Sequence, residues 1–339
     1  MTHDIKDTDA YIVGIARTPV GSLGGSLASF SATKLGSIAL DGALKRSKIP
    51  AAEVEEIYLG NVMSANLGQN PARQVALGVG CLENKVLATT INKVCASGMK
   101  AIALAAQDIQ LGYVDVAVAV GAESMSNVPY YLPTARFGSK FGDQTVVDGL
   151  VKDGLTDVYN QKAMGYAAEA CAVKHDVTRE DQDKFAVSSY ERAIAATKSG
   201  KFADEIVTVE VPVGRGKPPK VVESDDEISR FFPEKFPQLR PAFPDSEGKG
   251  TVTAANASKL SDGAAAVVVV SGRRLKKLIE EASIDIQTHG VFRILSSAEA
   301  EKAPIEFTTA PEAAVRKALT RANNPSVDFY EFNEAFSVV

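Results

Sequence analysis

The sequence predicts an α/β fold: strand–helix units around a mostly parallel sheet, in two repeated halves with a long insert. Three observations carry this. The alternating Val/Ala run VDVAVAVGAE follows a helix of small apolar residues; the layout near the N-terminus returns near the C-terminus; and the composition changes between about Met125 and Asn256.

From Tyr11, YIVGIAR reads as a first strand, followed by a Gly/Ser turn region and a helix over about 31–45. There Leu35, Ile38, Ala39 and Ala43 fall at helical spacing. A strand over 56–59, a helical stretch over 71–78 and a strand over 86–91 come next, the last ending at Asn92 and Lys93, just before Cys95. ASGMKAIALAAQDIQLG has the all-round apolar character of a buried helix, and VDVAVAVGAE that of a central strand covered on both faces. Strands alternating with helices imply right-handed crossovers and a mostly parallel sheet.

Between Met125 and Asn256 Pro, Gly and charge become frequent, as in FGSKFGDQ, GRGKPPK and ESDDE, yet amphipathic helical stretches remain over 163–174 and 179–199. The insert therefore reads as a folded loop domain, with an ordinary surface excursion as the blander alternative. KLSDGAAAVVVVSGRRLKKL then opens as a Gly/Ala-rich turn or helix leading into a four-valine strand.

A helix running into KIPAAEVEEIYLGN is answered by a helix over 311–321 running into NNPSVDFYEFNEAF, where FYEFN reads as a strand ending at Asn333. The expected division is 1–124 with 257–281 as one half, 125–256 as the insert, and 282–339 as the second half. By this spacing the second half lacks roughly sixty residues, so a C-terminal truncation is expected.

The 339 residues suffice for two or three structural units. No tract approaches the roughly 18 apolar residues of a membrane helix, and a net charge of −5 gives no footprint for nucleic acid. Neither is expected as a partner. The N-terminal stretch shows no secretory or mitochondrial signal, and three cysteines without metal-ligand spacing suit reduced thiols, so cytoplasm is expected.

Cys95 falls at a strand-to-helix junction with Ala96, Ser97 and Gly98 behind it. Those small residues let the backbone turn sharply and set the sulfur over the first N–H groups of the helix, which favour thiolate, the attacking species. Cys81 and Cys171 lack such surroundings and read as core thiols. His3, His175 and His289 belong to no such constellation and read as surface or structural. Asn333 would present its amide at the carboxyl edge of the sheet, where ligands bind in open α/β folds, or else simply form a turn. The small residues of 251–266 allow close backbone approach to a ligand, or a packed helix start. No G-x-G-x-x-G or P-loop is present, so nothing suggests NAD or ATP.

An ordered set of segments spans the chain: ARTPVGSLGGSL, QNPARQVAL, NKVCASGMKAI, GAESMSNVPY, AMGYAAE, TREDQDKFA, GTVTAANASKLSDGAAA and YEFNEAFSVV. Together they resemble the thiolase family, and within it the short-chain biosynthetic branch, with a texture most similar to fungal cytosolic enzymes of sterol-precursor synthesis. The resemblance implies a layered α-β-α-β-α sandwich of two repeated halves with a loop domain over the active site. The implied reaction is Claisen condensation of two acetyl-CoA to acetoacetyl-CoA and CoA, and its thiolytic reverse, through an acetyl-cysteine.

On this resemblance Cys95 matches the acylated nucleophile, and Asn333 the NEAF asparagine that positions an oxyanion-hole water. Leu155, Met164, Phe243, Ala254, Ser258, Ala335 and Phe336 match positions lining the pantetheine and thioester pocket. The CoA phosphates would meet a basic residue of the insert, with Arg215, Arg230 and Lys235 as candidates. No cofactor is required, although the family likeness admits potassium on the carbonyls of Ala254, Ala255 and Ala257; the aromatic hydroxyl expected nearby is replaced around Ile228. A homotetramer made of two dimers is implied. The family's GHP histidine and CxGGG cysteine follow the NEAF segment and do not occur in this sequence, so the chain by itself is expected to be inactive. Ala163 stands where His is frequent. A 3-ketoacyl-CoA thiolase of broader chain length, or a non-catalytic CoA or lipid binder on the same fold, are the alternatives.

Overall fold

The computed structural model describes residues 5–214 and 216–339, apart from the side chain of Gln287. In chain order the elements are β1 (Ala10–Arg17), β2 (Gly21–Ser22), α1 (Ala32–Ser47), β3 (Glu56–Gly60), α2 (Pro71–Gly78), β4 (Leu87–Ile91), α3 (Ser97–Gln110) and β5 (Val116–Ser124). After them come β6 (Tyr130–Tyr131), β7 (Val147–Asp148), α4 (Gly165–Lys174), α5 (Arg179–Lys198), β8 (Val209–Val211) and β9 (Lys220–Val222). The last are β10 (Ser261–Ser271), α6 (Gly272–Glu280), α7 (Ile286–His289), β11 (Phe292–Arg293) and α8 (Ala310–Arg321). Among the described residues no helix is long and apolar enough to cross a membrane.

By internal contact the chain forms two units. One runs to Gly154 and adds Phe202–Glu227 and Ser261–Ile294; the other comprises Leu155–Lys201, Ile228–Leu260 and Leu295–Val339. Residues 202–227, inside the stretch read as an insert, thus lie with the first unit. Their acidic segment holds the ARTPVGS turn. Arg17 pairs with Glu205 at 2.6 Å and Asp225 at 2.8 Å, while Asp226 accepts from the backbone N–H groups of Ser22 and Ser26.

The first unit is organised by a seven-stranded sheet in the order β11-β1-β10-β5-β3-β4, with β2 also on β10. Only β3–β4 and β3–β5 are parallel; β10 runs antiparallel to β1, β2 and β5, and β11 antiparallel to β1. The expected mostly parallel sheet is therefore corrected to a mixed one. The cause is topological. β10 returns from far along the chain to lie between β1 and β5, and side-chain alternation, which marks a strand as buried, carries no information on its direction. β10 also begins at Ser261, so the Gly/Ala stretch read as a turn or helix is already strand.

Both faces of this sheet are covered. Val116, Val118 and Val120 of β5 and Val268 and Val270 of β10 share a core with Leu35, Leu40 and Ala43 of α1 and Leu275 of α6. Ala117 and Ala119, one residue out of step, meet Ala101, Ala105 and Ile109 of α3 on the other face. Small residues on that side let α3 approach closely, and each fully buried Leu or Ile contributes roughly 1.5–3 kcal/mol. Ser31 caps α1 by accepting from the Lys34 N–H, and Thr178 with Asp181 forms a capping box on α5.

The second unit contains α4, α5 and α8. Residues 329–333, read as a strand ending at Asn333, carry no regular structure and join no ladder among the described residues. Asn333 therefore does not sit at a strand end.

Glu56 opens β3 with only 7% of its surface exposed. Burial, then the nearby charge of Asp108, pushes its carboxyl from 4.5 up to about 7. The folded chain keeps this proton between about pH 4.5 and 7, where the unfolded chain has released it, so stability falls as pH rises through that window. Glu56→Gln is expected to raise the urea midpoint at pH 8, by on the order of 1–3 kcal/mol in stability, and to change little at pH 4.5. An equal effect at both values would show that the cost is not one of ionisation.

Candidate active site

Cys95 lies where β4 passes into α3, in a turn with unusual backbone geometry. Val94 has φ 49°, a left-handed conformation that β-branched residues rarely adopt. Its N–H donates to Asn92 Oδ1 at 3.0 Å, and its carbonyl accepts from the Ser97 N–H at 3.1 Å and Ser97 Oγ at 2.6 Å. Ser97 Oγ in turn accepts from the Lys93 N–H at 2.8 Å. The serine thus closes the turn from within and is itself buried.

Glycine makes the seat. A Cβ on Gly60, at the end of β3, would stand 2.4 Å from the Ser97 carbonyl carbon and 2.5 Å from the Gly98 nitrogen. Gly98 also neighbours Gly121 of β5, where a Cβ on Gly121 would make an ordinary contact, 3.4 Å from the Gly98 Cα. The start of α3 rests directly on two strand ends, and Cys95 stands exposed above them.

The sulfur's electrostatics differ from the sequence expectation. Crowding by the surrounding chain pushes the Cys95 thiol up from its ordinary value, although the residue keeps exposed surface; its own backbone N–H opposes the shift. The expected thiolate preference is thereby corrected: desolvation outweighs the helix N-terminus. Cys81 and Cys171 are buried as expected, and burial pushes the Cys81 thiol up to about 11 against the opposing charge of Arg73.

The remaining expected site residues fall in the second unit. The loop 251–258 has no regular structure, and side chains satisfy its backbone. Glu169 of α4 accepts from the Thr251 and Val252 N–H groups, each at 2.8 Å, and from Thr251 Oγ1. Asn256, buried, accepts from the Thr253 N–H at 2.7 Å and donates to Asp183 Oδ1 at 2.9 Å.

This loop is stitched to the NEAF segment. Ser258 N–H donates to the Ala335 carbonyl at 3.1 Å, Ser337 N–H to the Asn256 carbonyl at 2.9 Å, and Ala257 bridges Phe336. Phe243, Ala257 and Phe336 pack against buried Ala168, Cys171, Val252 and Val338. Gly165 leaves room for the Phe243 ring, which a Cβ would strike at 2.0 Å. Met164 N–H donates to the Leu155 carbonyl at 2.9 Å. The structure therefore brings together Ser258, Ala335 and Phe336, joins Leu155 to Met164, and leaves Asn333, Ala254 and Ser258 exposed.

Of the basic candidates for CoA phosphates, Arg230 and Lys235 are exposed, Lys235 lying over the Phe232 ring, and Arg215 is outside the described residues. His3 also lies outside them. His289 Nε2 meets the Val13 carbonyl at 3.0 Å, a structural contact in keeping with its expected role. Of the carbonyls named for potassium, that of Ala254 accepts from the Lys259 ammonium.

Sequence reasoning missed the supports: Glu123, Glu169, Asn256 and the left-handed Val94. One signal was available for Glu123, since a carboxylate at the end of an apolar strand is costly unless several donors meet it.

Comparison with known proteins agrees with this architecture. The family model "Thiolase, N-terminal domain" matches residues 10–273. Acetyl-CoA acetyltransferase 1 of Arabidopsis thaliana is 52% identical over 99% of this chain and 79% of its own length. A cytosolic acetyl-CoA acetyltransferase of Gibberella zeae is 52% identical over 97% of this chain and 80% of its own. The crystal structure of the Acat5 thiolase from Ascaris suum in complex with coenzyme A superposes with a TM-score of 0.88 at 42% identity, covering 97% of this chain and 82% of that one. Sequence and fold together place the chain in the thiolase family of acyltransferases.

Proposed function

We propose that this chain carries the acetyl-transfer chemistry of an acetyl-CoA C-acetyltransferase, with Cys95 as the group that is acetylated. The observation supporting this most directly is the strained turn that lifts an exposed cysteine from strand ends at the start of a helix. Cys95 Sγ attacks the thioester carbonyl of acetyl-CoA; a new C–S bond forms, the bond to the CoA sulfur breaks, and the thiol proton ends on the departing CoA. In the second step the methyl carbon of another acetyl-CoA, as its enolate, attacks the acetyl-cysteine carbonyl; a C–C bond forms, the bond to the Cys95 sulfur breaks, and the proton lost by the methyl ends on the regenerated Cys95 thiol, giving acetoacetyl-CoA.

Because the Cys95 thiol is pushed up, the first step requires a base; the family likeness assigns it to a GHP histidine. Asn333 would orient the oxyanion-hole water for the enolate. Leu155, Met164, Phe243, Ala254, Ser258, Ala335 and Phe336 would line the pantetheine and thioester pocket, with 125–256 serving as the CoA-binding loop domain between the halves 1–124 with 257–281 and 282–339. In this reading the product feeds sterol-precursor synthesis in the cytoplasm, and the assembly is a homotetramer of two dimers. The names of the relatives support the substrate assignment.

In a version that carries the GHP histidine and CxGGG cysteine, incubation with acetyl-CoA and peptide mapping is expected to find the acetyl group on Cys95, retained in Cys81→Ala and Cys171→Ala and lost in Cys95→Ala. Acetyl recovered on another residue, or none on Cys95, would overturn the assignment.

In this reading the Lys259 ammonium, in place of potassium, supplies the positive charge at the Ala254 carbonyl. Replacing potassium by sodium or choline is expected to leave the melting temperature unchanged, whereas Lys259→Met is expected to acquire a saturable stabilisation by potassium. Such stabilisation in the unsubstituted chain would contradict this.

A further inference from the structure

Glu123, at the end of β5, has no part in the acetyl-transfer steps, yet three donors converge on it. Asn61 Nδ2 and the Met63 N–H reach Oε1 at 2.9 and 3.2 Å, and the Val62 N–H reaches Oε2 at 2.9 Å. The carboxylate thereby pins the loop 61–63, which leaves β3, against β5. Burial pushes this carboxyl up, and the Val62, Met63 and Asn61 bonds oppose the shift. Three donors converging on one carboxyl group give it a directed grip on the loop.

The pinned loop is tied to the cysteine turn twice. Asn61 N–H donates to the carbonyl of Ile91, the last residue of β4, at 3.0 Å. The Val62 carbonyl accepts from Asn92 Nδ2 at 3.4 Å, and Asn92 Oδ1 holds the Val94 N–H at 3.0 Å. The chain of contacts therefore runs from Glu123 through Val62 and Asn92 to the residue whose left-handed backbone aims Cys95.

We propose that Glu123 is a positioning residue for the nucleophile: through the 61–63 loop and Asn92 it holds Val94 in its strained conformation and so fixes the direction of the Cys95 sulfur. This deepens the acetyl-transfer reading and rests on it for its catalytic consequence. A glutamine of the same shape cannot replace the carboxylate, because it offers one acceptor oxygen and turns an NH2 group toward donors. Relaxation of the turn then loosens the chain crowded about the sulfur, the desolvation that raises its pKa.

The test reads the turn without acetyl-CoA. Alkylation of Cys95 by iodoacetamide, followed by peptide mapping, gives the pH at which the rate reaches half its plateau. Glu123→Gln is expected to lower that midpoint by roughly half a pH unit or more. Asn92→Ala, which cuts the same chain nearer the turn and keeps the clamp, is expected to lower it similarly. The double variant should shift no further than the larger single, since both act through one turn. Acetylation of Cys95 by acetyl-CoA should meanwhile slow by roughly tenfold in each variant, despite the freer thiol.

A midpoint unchanged in Asn92→Ala, or in Glu123→Gln that remains folded by its melting curve, overturns the proposal, as do shifts that add in the double variant. If Glu123→Gln fails to fold, Asn92→Ala with its midpoint and acetylation rate still decides. Failure of the acetyl-transfer reading shows separately, as no acetylation of Cys95 in an unsubstituted version that carries the GHP histidine while alkylation still titrates.

Discussion

The left-handed backbone of Val94 is the constraint around which the candidate site is built. A branched side chain at positive φ costs on the order of 1–3 kcal/mol and survives only where the surroundings leave no alternative. Here Asn92 takes the Val94 N–H, Ser97 takes its carbonyl, and Gly60 lets the start of α3 press onto the end of β3. The consequence is directional: Cys95 is delivered to an exposed point that a regular strand-to-helix connection would not reach.

The second unit solves the opposite problem, since its loop 251–258 has almost no regular structure to satisfy its polar backbone. Unpaired backbone groups in a buried loop would cost as much as lost hydrogen bonds, and here Glu169, Asn256 and the backbone of the NEAF segment meet them. Two irregular segments far apart in sequence thus complete one another. Asp262 plays a comparable part in the first unit, fully buried and accepting from Ser126 through both its N–H and its hydroxyl. In each case a side-chain oxygen replaces the sheet or helix partner that irregular backbone lacks.

That division of labour explains what the sequence could disclose. Helix α2 and the central strand β5 were legible because periodicity and caps are local, and the cysteine turn was legible because Ala96, Ser97 and Gly98 announce a tight junction. The direction of β10 was not, because alternation is the same read either way. Residues 329–333 carry a strand-like composition, but a ladder needs a neighbour that composition does not supply. Glu123 and Glu169 stand within motifs but show no role in the sequence, since their partners are mainly backbone amides, which have no residue letter. Val94 was hidden for a related reason: a valine reads as strand, and only the tertiary seat forces it elsewhere.

The thiol of Cys95 sets two sound arguments against each other. A helix N-terminus favours an adjacent anion, whereas desolvation disfavours it. With Ala96 offering no side-chain cap and the chain crowding the sulfur, desolvation prevails and the nucleophile is stored protonated. This suits acyl exchange between two thiols. A sulfur held as thiolate would be a better leaving group and a weaker nucleophile, and its acetyl ester would discharge to CoA readily; a thiol of raised pKa, activated only when a base takes its proton, forms a nucleophile of high intrinsic reactivity at the moment substrate is present. The crowding that seems to work against Cys95 is thus the same packing that aims it.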